Sequence, residues 1–116
     1  MAVDFITNRP HSLLDSFKAR IDQADPSGRV NTWEYDADGD FTHKAPQWHL
    51  KAWMRPNIRE GKLTFGIIGP EGKEMPYEVY GYYHGHLTET FLNHFDLEFS
   101  SAQSTALPTG DDYVRP

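Results

Sequence analysis

The sequence predicts a two-layer α+β domain in which helices cover one face of an antiparallel sheet. Apolar residues recur at helical spacing near both ends of the chain, and between these segments the spacing changes to the alternation typical of strands. The 116 residues contain no cysteine, and 14% of them are aromatic. A chain of this length and composition is expected to fold around a hydrophobic core, without disulfides or thiolate metal sites.

The first helix is predicted from Ser12 to about Gln23. Its apolar residues share one side of the helix, and they are Leu13, Leu14, Phe17 and Ile21. Pro26 and Gly28 follow directly, and both residue types favour the end of a helix.

Four strands are predicted next, over residues 30–35, 48–55, 62–68 and 77–84. The aspartates of segment 36–40 favour a turn after the first strand. Gly69-Pro70-Glu71-Gly72 should fold the third strand back on the fourth. Short connections between successive strands predict an antiparallel meander.

The second helix is predicted over residues 87–95, where apolar residues return to helical spacing. Leu97 and Phe99 could then begin a fifth strand. Residues 1–99 are therefore expected to form one domain. Residues 100–116 are rich in Ser, Thr, Gly, Asp and Pro, which predicts a polar, mobile tail.

Alternation also predicts which residues share a sheet face. One face is conventionally apolar and suits the helices. The other combines large rings with polar groups, and we call it the predicted aromatic face: Trp53, Tyr80, Tyr82, His49, Arg55 and His84. Exposed apolar patches commonly mark binding sites, so these residues are the candidate binding surface.

Three interpretations of the predicted aromatic face remain open. Trp and Tyr are enriched at protein interfaces, which favours a non-enzymatic module that binds a protein partner or self-associates as a homodimer. The alternative is a small-ligand-binding protein or enzyme, with a pocket in a curved sheet. Cross-strand aromatic pairs could also simply stabilise the sheet. We prefer the protein-binding interpretation.

Metal and cofactor motifs are weak. His84, His86 and Glu89 form the one metal-like string, but Gly85 marks a strand-to-helix junction, where Glu89 would suit the first helical turn. Asp36, Asp38 and Asp40 alternate as in a calcium loop, yet Gln47 stands where a closing Glu is needed. No metal or cofactor is predicted.

Charge narrows the class of partner. The 11 basic residues are scattered against 17 acidic ones, giving a net charge of −6, which disfavours nucleic acid. No apolar run approaches the roughly 20 residues of a membrane span, and the amino terminus does not resemble a secretory signal, so a cytoplasmic protein is expected. No nucleophile motif is evident, and catalysis has no positive support in the sequence.

Overall fold

Two helices lie on one face of a six-stranded antiparallel sheet, which confirms the predicted α+β class. The computed structural model describes residues 2–71 and 73–112. The strand order across the sheet is β2-β3-β4-β5-β1-β6. The elements in chain order are β1 Ala2–Ile6, α1 Pro10–Asp22, β2 Trp33–Tyr35, β3 Phe41–His43, β4 Trp53–Arg59, β5 Lys62–Ile68, α2 Tyr77–Phe95 and β6 Ser101–Ser104.

Helix α1 and strand β5 follow the sequence closely. Pro10 occupies the start of α1, where its missing N–H leaves no hydrogen bond unmade. Leu13, Leu14 and Phe17 are buried as the apolar stripe requires. Strand β5 has the predicted bounds, and the aspartate-rich segment turns between β2 and β3, with the Gly39 N–H bonded to the Asp36 carbonyl at 3.0 Å.

The predicted strand over residues 77–84 is wrong, because these residues form the first half of α2. The alternating Tyr and Val residues of this segment resemble a strand, yet Val79, Tyr83 and Leu87 also repeat at intervals of four. The same stripe continues to Phe91 and Phe95, and all five side chains are buried. Continuous burial over 19 residues outweighs local preference, including the low helix propensity of Gly81.

Strand β4 begins later and ends later than predicted. Residues 45–51 form turns, and β4 continues through Pro56, beyond the predicted end at residue 55. Strand β3 pairs with β4 at Phe41↔Met54, and Pro56 lies beyond that pair. A residue without an N–H is tolerated where a strand lacks a partner on one side.

Three strands were not predicted. Strand β1 supplies Val3 and Phe5 to the core and lies between β5 and β6, and β3 has only three residues. Strand β6 lies inside the segment predicted as a tail and begins after Phe99, so it replaces the strand expected from residue 97. Gly72 of the predicted turn and residues 113–116 of the predicted tail lie outside the described residues.

The core between the sheet and the two helices is largely aromatic. Phe17 of α1 stacks on Phe41 at 4.5 Å between ring centroids, and Phe5 of β1 stacks on Phe91 of α2 at 4.1 Å. Within the described part of the chain, neither helix has the length and hydropathy to span a membrane.

Candidate functional site

The six residues of the predicted aromatic face do not share one face. Trp53 and Arg55 lie on β4, His49 lies in the connection from β3 to β4, and Tyr80, Tyr82 and His84 lie on α2. The prediction of a single aromatic sheet face is therefore wrong. It depended on a strand over residues 77–84, and a helix turns those side chains away from the sheet plane at about 100° per residue.

The structure does bring some of these residues together. Tyr80 contacts His84 at 5.7 Å between ring centroids. Arg55 donates two hydrogen bonds, of 2.9 and 2.8 Å, to buried Asp40, and so ties the β2–β3 turn to β4. Tyr82 and His49 lie in a different region, around the loop described next.

The connection between β3 and β4, residues 44–52, is a tightly hydrogen-bonded loop that we call the Trp48 loop. Inside it, the N–H groups of Trp48 and His49 both donate to the Ala45 carbonyl, at 2.9 and 2.8 Å. At its start, the Ala45 N–H donates to His43 Nδ1 at 3.0 Å. The loop therefore has a defined conformation, set by its own backbone and by neighbouring side chains.

Two hydroxyl groups fix the middle of the Trp48 loop. The Tyr83 hydroxyl on α2 donates to the Trp48 carbonyl, and the Leu50 N–H donates to Thr42 Oγ1 at 3.1 Å. The two hydroxyls are themselves 3.1 Å apart, and both residues are buried. The loop is thus bonded to the interior of the domain on both sides of His49.

Leu50 has an unusual conformation at this position. Its φ angle is +59°, and it is the one described non-glycine residue with a positive φ. Its side chain is 51% exposed. A left-handed backbone costs an ordinary residue about 1 kcal/mol or more, and glycine or asparagine would avoid most of this strain. The hydrogen bonds of the Trp48 loop thus hold an apolar side chain outward.

A stack of rings runs from the Trp48 loop into the domain. Trp48 lies on Tyr82 with centroids 4.1 Å apart and planes 8° apart. Tyr82 lies parallel to His86 at 5.6 Å, and His86 lies on buried Trp33 at 5.7 Å. These contacts limit the orientations available to Trp48 and give the Trp48 loop a rigid base.

His43 is buried beside this stack. Its Nδ1 accepts the Ala45 N–H, so the neutral ring carries its proton on Nε2 and donates to the Tyr82 hydroxyl at 3.3 Å. Burial lowers the pKa of His43 to about 4, and nearby His86 adds to this effect. His43 is therefore uncharged at neutral pH.

His86 lies between a hydroxyl and a carboxylate. Its Nε2 is 3.0 Å from Thr32 Oγ1, and its Nδ1 is 3.5 Å from Glu89 Oε1. Burial lowers the pKa of His86, although Glu89 opposes the shift. With the Nδ1 proton directed at Glu89, Nε2 can accept the Thr32 hydroxyl proton.

The weak metal candidates do not converge. His84 and His86 are two residues apart on α2, which places them about 200° apart around the helix axis. Among the described residues, the three potential ligands that lie together are Asp36, Asp38 and Asp40. Asp40 is already bonded to Arg55, and Asp36 Oδ1 accepts the N–H groups of Asp38 and Asp40.

A groove of about 570 Å³ lies elsewhere, near the carboxyl end of β1. Its lining residues are Ile6, Thr7, Asn8, Gly61, Leu97, Glu98, Phe99 and Ser100. The groove contains neither His49 nor His84 of the predicted aromatic face. Nothing in the geometry connects it to the histidines.

Comparisons with protein-family models, with curated proteins and with solved structures found no match for this chain.

Sequence reasoning missed the main features of this region. Alternation along the strand predicted over residues 48–55 places Trp48 and Leu50 on its apolar face, and no sequence pattern singles out His43 or Thr32. A left-handed residue other than Gly, Asn or Asp leaves no signal in sequence. Tyr82, His49 and His86 were identified, although for a different arrangement.

Proposed function

We propose that the protein is a protein-binding module whose Trp48 loop inserts Leu50 into an apolar pocket of its partner. The observation that carries this proposal is the outward-held leucine with a φ of +59° and 51% exposure. Strained residues that the surrounding structure holds in place are concentrated at functional sites. An exposed leucine side chain contributes little to the stability of the free protein. Its burial in a partner would be favourable and would offset the cost of the left-handed backbone.

The rigid base of the Trp48 loop favours tight association. Leu50 is tied through its N–H to Thr42, and Trp48 is stacked on Tyr82. A loop that is already ordered loses less conformational entropy on binding. Trp48 lies two residues before Leu50 in the same loop, and aromatic residues that a partner buries commonly dominate interface energetics.

The charged residues of the Trp48 loop indicate the charge expected around the partner's pocket. Lys44 and Lys51 are exposed near the two ends of the loop, and His49 Nε2 lies 2.7 Å from Glu34 Oε1. The two exposed lysines favour an acidic rim around the pocket. A different protein can supply such a rim, and so can a second copy of this chain, which carries a net charge of −6.

The test compares two leucines of equal exposure. Leu50→Asn keeps the left-handed backbone, which Asn tolerates, and removes the apolar anchor. Leu92→Gln removes a leucine that is 52% exposed on α2, away from the Trp48 loop. Sedimentation equilibrium over a range of concentrations measures self-association, and tagged wild-type and variant chains measure capture of another protein.

We expect Leu50→Asn to weaken the association at least tenfold, while Leu92→Gln leaves it within about twofold. A 1.4 kcal/mol loss corresponds to the tenfold change. Equal association by the wild type and Leu50→Asn would contradict the proposal, and so would an equal loss in Leu92→Gln.

A second candidate function is acid–base catalysis. It is favoured by the spatial arrangement of the Thr32, His86 and Glu89 side chains. A hydroxyl 3.0 Å from one imidazole nitrogen, with a carboxylate 3.5 Å from the other, is the arrangement that activates a nucleophile. Thr32 Oγ1 would bond to the acyl carbon of an ester and pass its proton to His86 Nε2. His86 would then protonate the departing alkoxide, and water would release the acid by the reverse steps.

Hydrolysis of 4-nitrophenyl acetate tests this second function. A rate above that of buffer should be lost in Thr32→Val and His86→Gln and kept in Thr88→Val. Thr88 is the matched control because its hydroxyl bonds only the His84 carbonyl among the partners that we describe, at 2.9 Å. Full activity of Thr32→Val would exclude Thr32 as the nucleophile.

A further inference from the structure

The outer face of the sheet, opposite the helices, is crossed by the chain's own C-terminal segment. On this face lie the side chains of Trp53, Arg55 and Arg59 on β4 and the position of Gly66 on β5. Residues 105–112 follow β6, and we call them the C-terminal strap. The strap begins beside β1, where the Thr105 N–H donates to the Ala2 carbonyl at 2.8 Å. It then reaches the middle of β5.

Gly66 is the point of closest approach. A Cβ atom built on Gly66 would lie 1.9 Å from the carbonyl oxygen of Asp111 and 2.6 Å from its carbonyl carbon. Gly66 is not among the glycines with a positive φ, so its backbone does not require glycine. Glycine inside a strand commonly marks a place where another backbone comes close. The absence of a side chain at this position is therefore explained by the strap.

The outer face binds the strap through two carboxylates. Arg59 donates hydrogen bonds to both carboxylate oxygens of Asp111, one of them at 2.7 Å. This ion pair lowers the pKa of Asp111 and raises that of Arg59. The carboxylate of Asp112 accepts the Ile67 N–H at 2.9 Å. One cation and one backbone donor of the sheet thus recognise two adjacent aspartates.

The strap presents these carboxylates from a turn of its own. Asp112 Oδ2 accepts the Thr109 N–H at 2.7 Å, and the Asp112 N–H donates to the Thr109 carbonyl at 3.1 Å. Thr109 Oγ1 accepts the Asp111 N–H at 3.2 Å. Hydrogen bonds within the segment therefore define the conformation of Thr109-Gly110-Asp111-Asp112. A separate peptide of this sequence could form the same turn.

The strap is attached by contacts that can open. Its ion pair is partly exposed, with 40% of the Arg59 side chain and 19% of the Asp111 side chain accessible. Exposed ion pairs contribute little to stability and are weakened by salt. Leu107, the leucine of the strap, is 77% exposed. Segments held in this way are among the first to open.

We infer that the outer face around Gly66, Arg59 and the Ile67 N–H is a binding site for a turn-forming acidic peptide segment with two adjacent aspartates. The strap occupies this site within the chain, and an acidic segment of a partner protein takes its place when the strap opens. This inference does not depend on the proposed role of the Trp48 loop.

The first experiment releases the strap without shortening the chain. In the full-length Asp111→Asn/Asp112→Asn variant, both carboxylates are lost and the site becomes free. A fluorescently labelled peptide of residues 105–112 is titrated into this variant and into the wild type, and anisotropy measures binding. We expect at least tenfold tighter binding to the variant, because the wild-type strap competes within the chain.

Two controls decide whether the peptide occupies the site of the strap. Adding Gly66→Ala to the double variant should abolish binding, since the new Cβ would clash with the peptide backbone, whereas adding Gly81→Ala should not. A Cβ at Gly81 meets nothing within 4 Å. A peptide with Asn at both Asp positions should not bind. Failure of the double variant to bind the peptide, or equal binding after Gly66→Ala, would overturn the inference.

A second measurement needs no peptide and applies even if the double variant is unstable. Hydrogen exchange at the Ile67 amide reports the bond to Asp112 in the otherwise intact chain. Gly66→Ala should speed this exchange at least tenfold and leave the amides of β1 and β5 paired within the sheet protected. Unchanged exchange at Ile67 would show that the strap does not lie on Gly66, and would equally overturn the inference.

Discussion

The Trp48 loop and the C-terminal strap each depend on a residue that its own backbone does not favour. Leu50 has a φ of +59°, where glycine or asparagine would be comfortable, and yet it carries a large side chain. Gly66 lies within β5, where a β-branched residue would stabilise the strand, and yet it carries none. In the Trp48 loop, a large side chain is present at a backbone conformation that favours glycine. In β5, glycine is present at a backbone conformation that favours a larger residue.

The two regions also differ in how they are held. The Trp48 loop is bonded to buried, uncharged groups, the hydroxyls of Tyr83 and Thr42 and the ring of His43. The strap is held mainly by carboxylates near the surface. We therefore expect the loop to stay ordered as long as the domain is folded, and the strap to exchange between bound and open states. A fixed anchor and a displaceable segment suit different steps of partner recognition.

Acidification should have the largest effect, and it should act on the Trp48 loop through protonation of His43. The pKa of His43 is about 4 in the folded protein and near 6.5 when unfolded. Between these values the unfolded chain binds a proton at His43 that the folded protein does not. The stability that depends on neutral His43 is therefore fully present above pH 6.5, and it falls as the pH drops towards 4. We expect His43 to account for a loss of roughly 3 kcal/mol over this window. Urea unfolding at several pH values measures it.

His43→Gln is the control for this prediction. Glutamine can accept the Ala45 N–H and donate to Tyr82, and it does not titrate. The variant should show a smaller loss of stability between pH 6.5 and 4, with the remainder including His86, whose pKa is also lowered. An unchanged pH dependence would show that His43 is not the group that protonates.

Removal of the Tyr83 hydroxyl should have the next largest effect. Tyr83→Phe leaves the Lys51 N–H, at 3.2 Å, as the remaining donor to the Trp48 carbonyl. It also removes a partner of Thr42 Oγ1 and of the backbone N–H of His43. A typical hydrogen bond contributes about 0.5–1.5 kcal/mol, and the Tyr83 hydroxyl makes several, so we expect a loss of about 2 kcal/mol. Thermal unfolding measures stability, and amide exchange at Leu50 should accelerate in the same variant.

Tyr77→Phe provides the comparison for that variant. Tyr77 is 80% exposed, so its substitution should leave both the unfolding free energy and the Leu50 amide unchanged. If Tyr83→Phe were as stable as Tyr77→Phe, the Trp48 loop would not depend on the hydroxyl.

The parts of the fold that could be predicted are those where local pattern and burial agree. Helix α1 has a clear apolar stripe, and β5 has continuous apolar and β-branched residues, so both were placed to within about two residues. The first half of α2 could not be placed, because its tyrosines alternate like a strand while Val79 and Tyr83 pack like a helix. Only contacts with distant elements decide between these patterns.

The candidate site was predictable only in its residue types. Tyrosine and histidine side chains were predicted to share a surface with Trp53, but the partners of Tyr82 are Trp48 and His86. The conformation of Leu50 and the covering of Gly66 depend on contacts across 8 and 45 residues of chain, respectively. Periodicity within a short window carries no information on such contacts.

The most direct test of the central claim is Leu50→Gly, with stability and association measured on the same preparation. Glycine relieves the left-handed strain and removes the anchor, so the unfolding free energy should rise or stay level, by up to about 1 kcal/mol, while association weakens at least tenfold. Effects in opposite directions would support a leucine kept for binding at the expense of stability. A variant that is less stable and associates as well as the wild type would contradict the account.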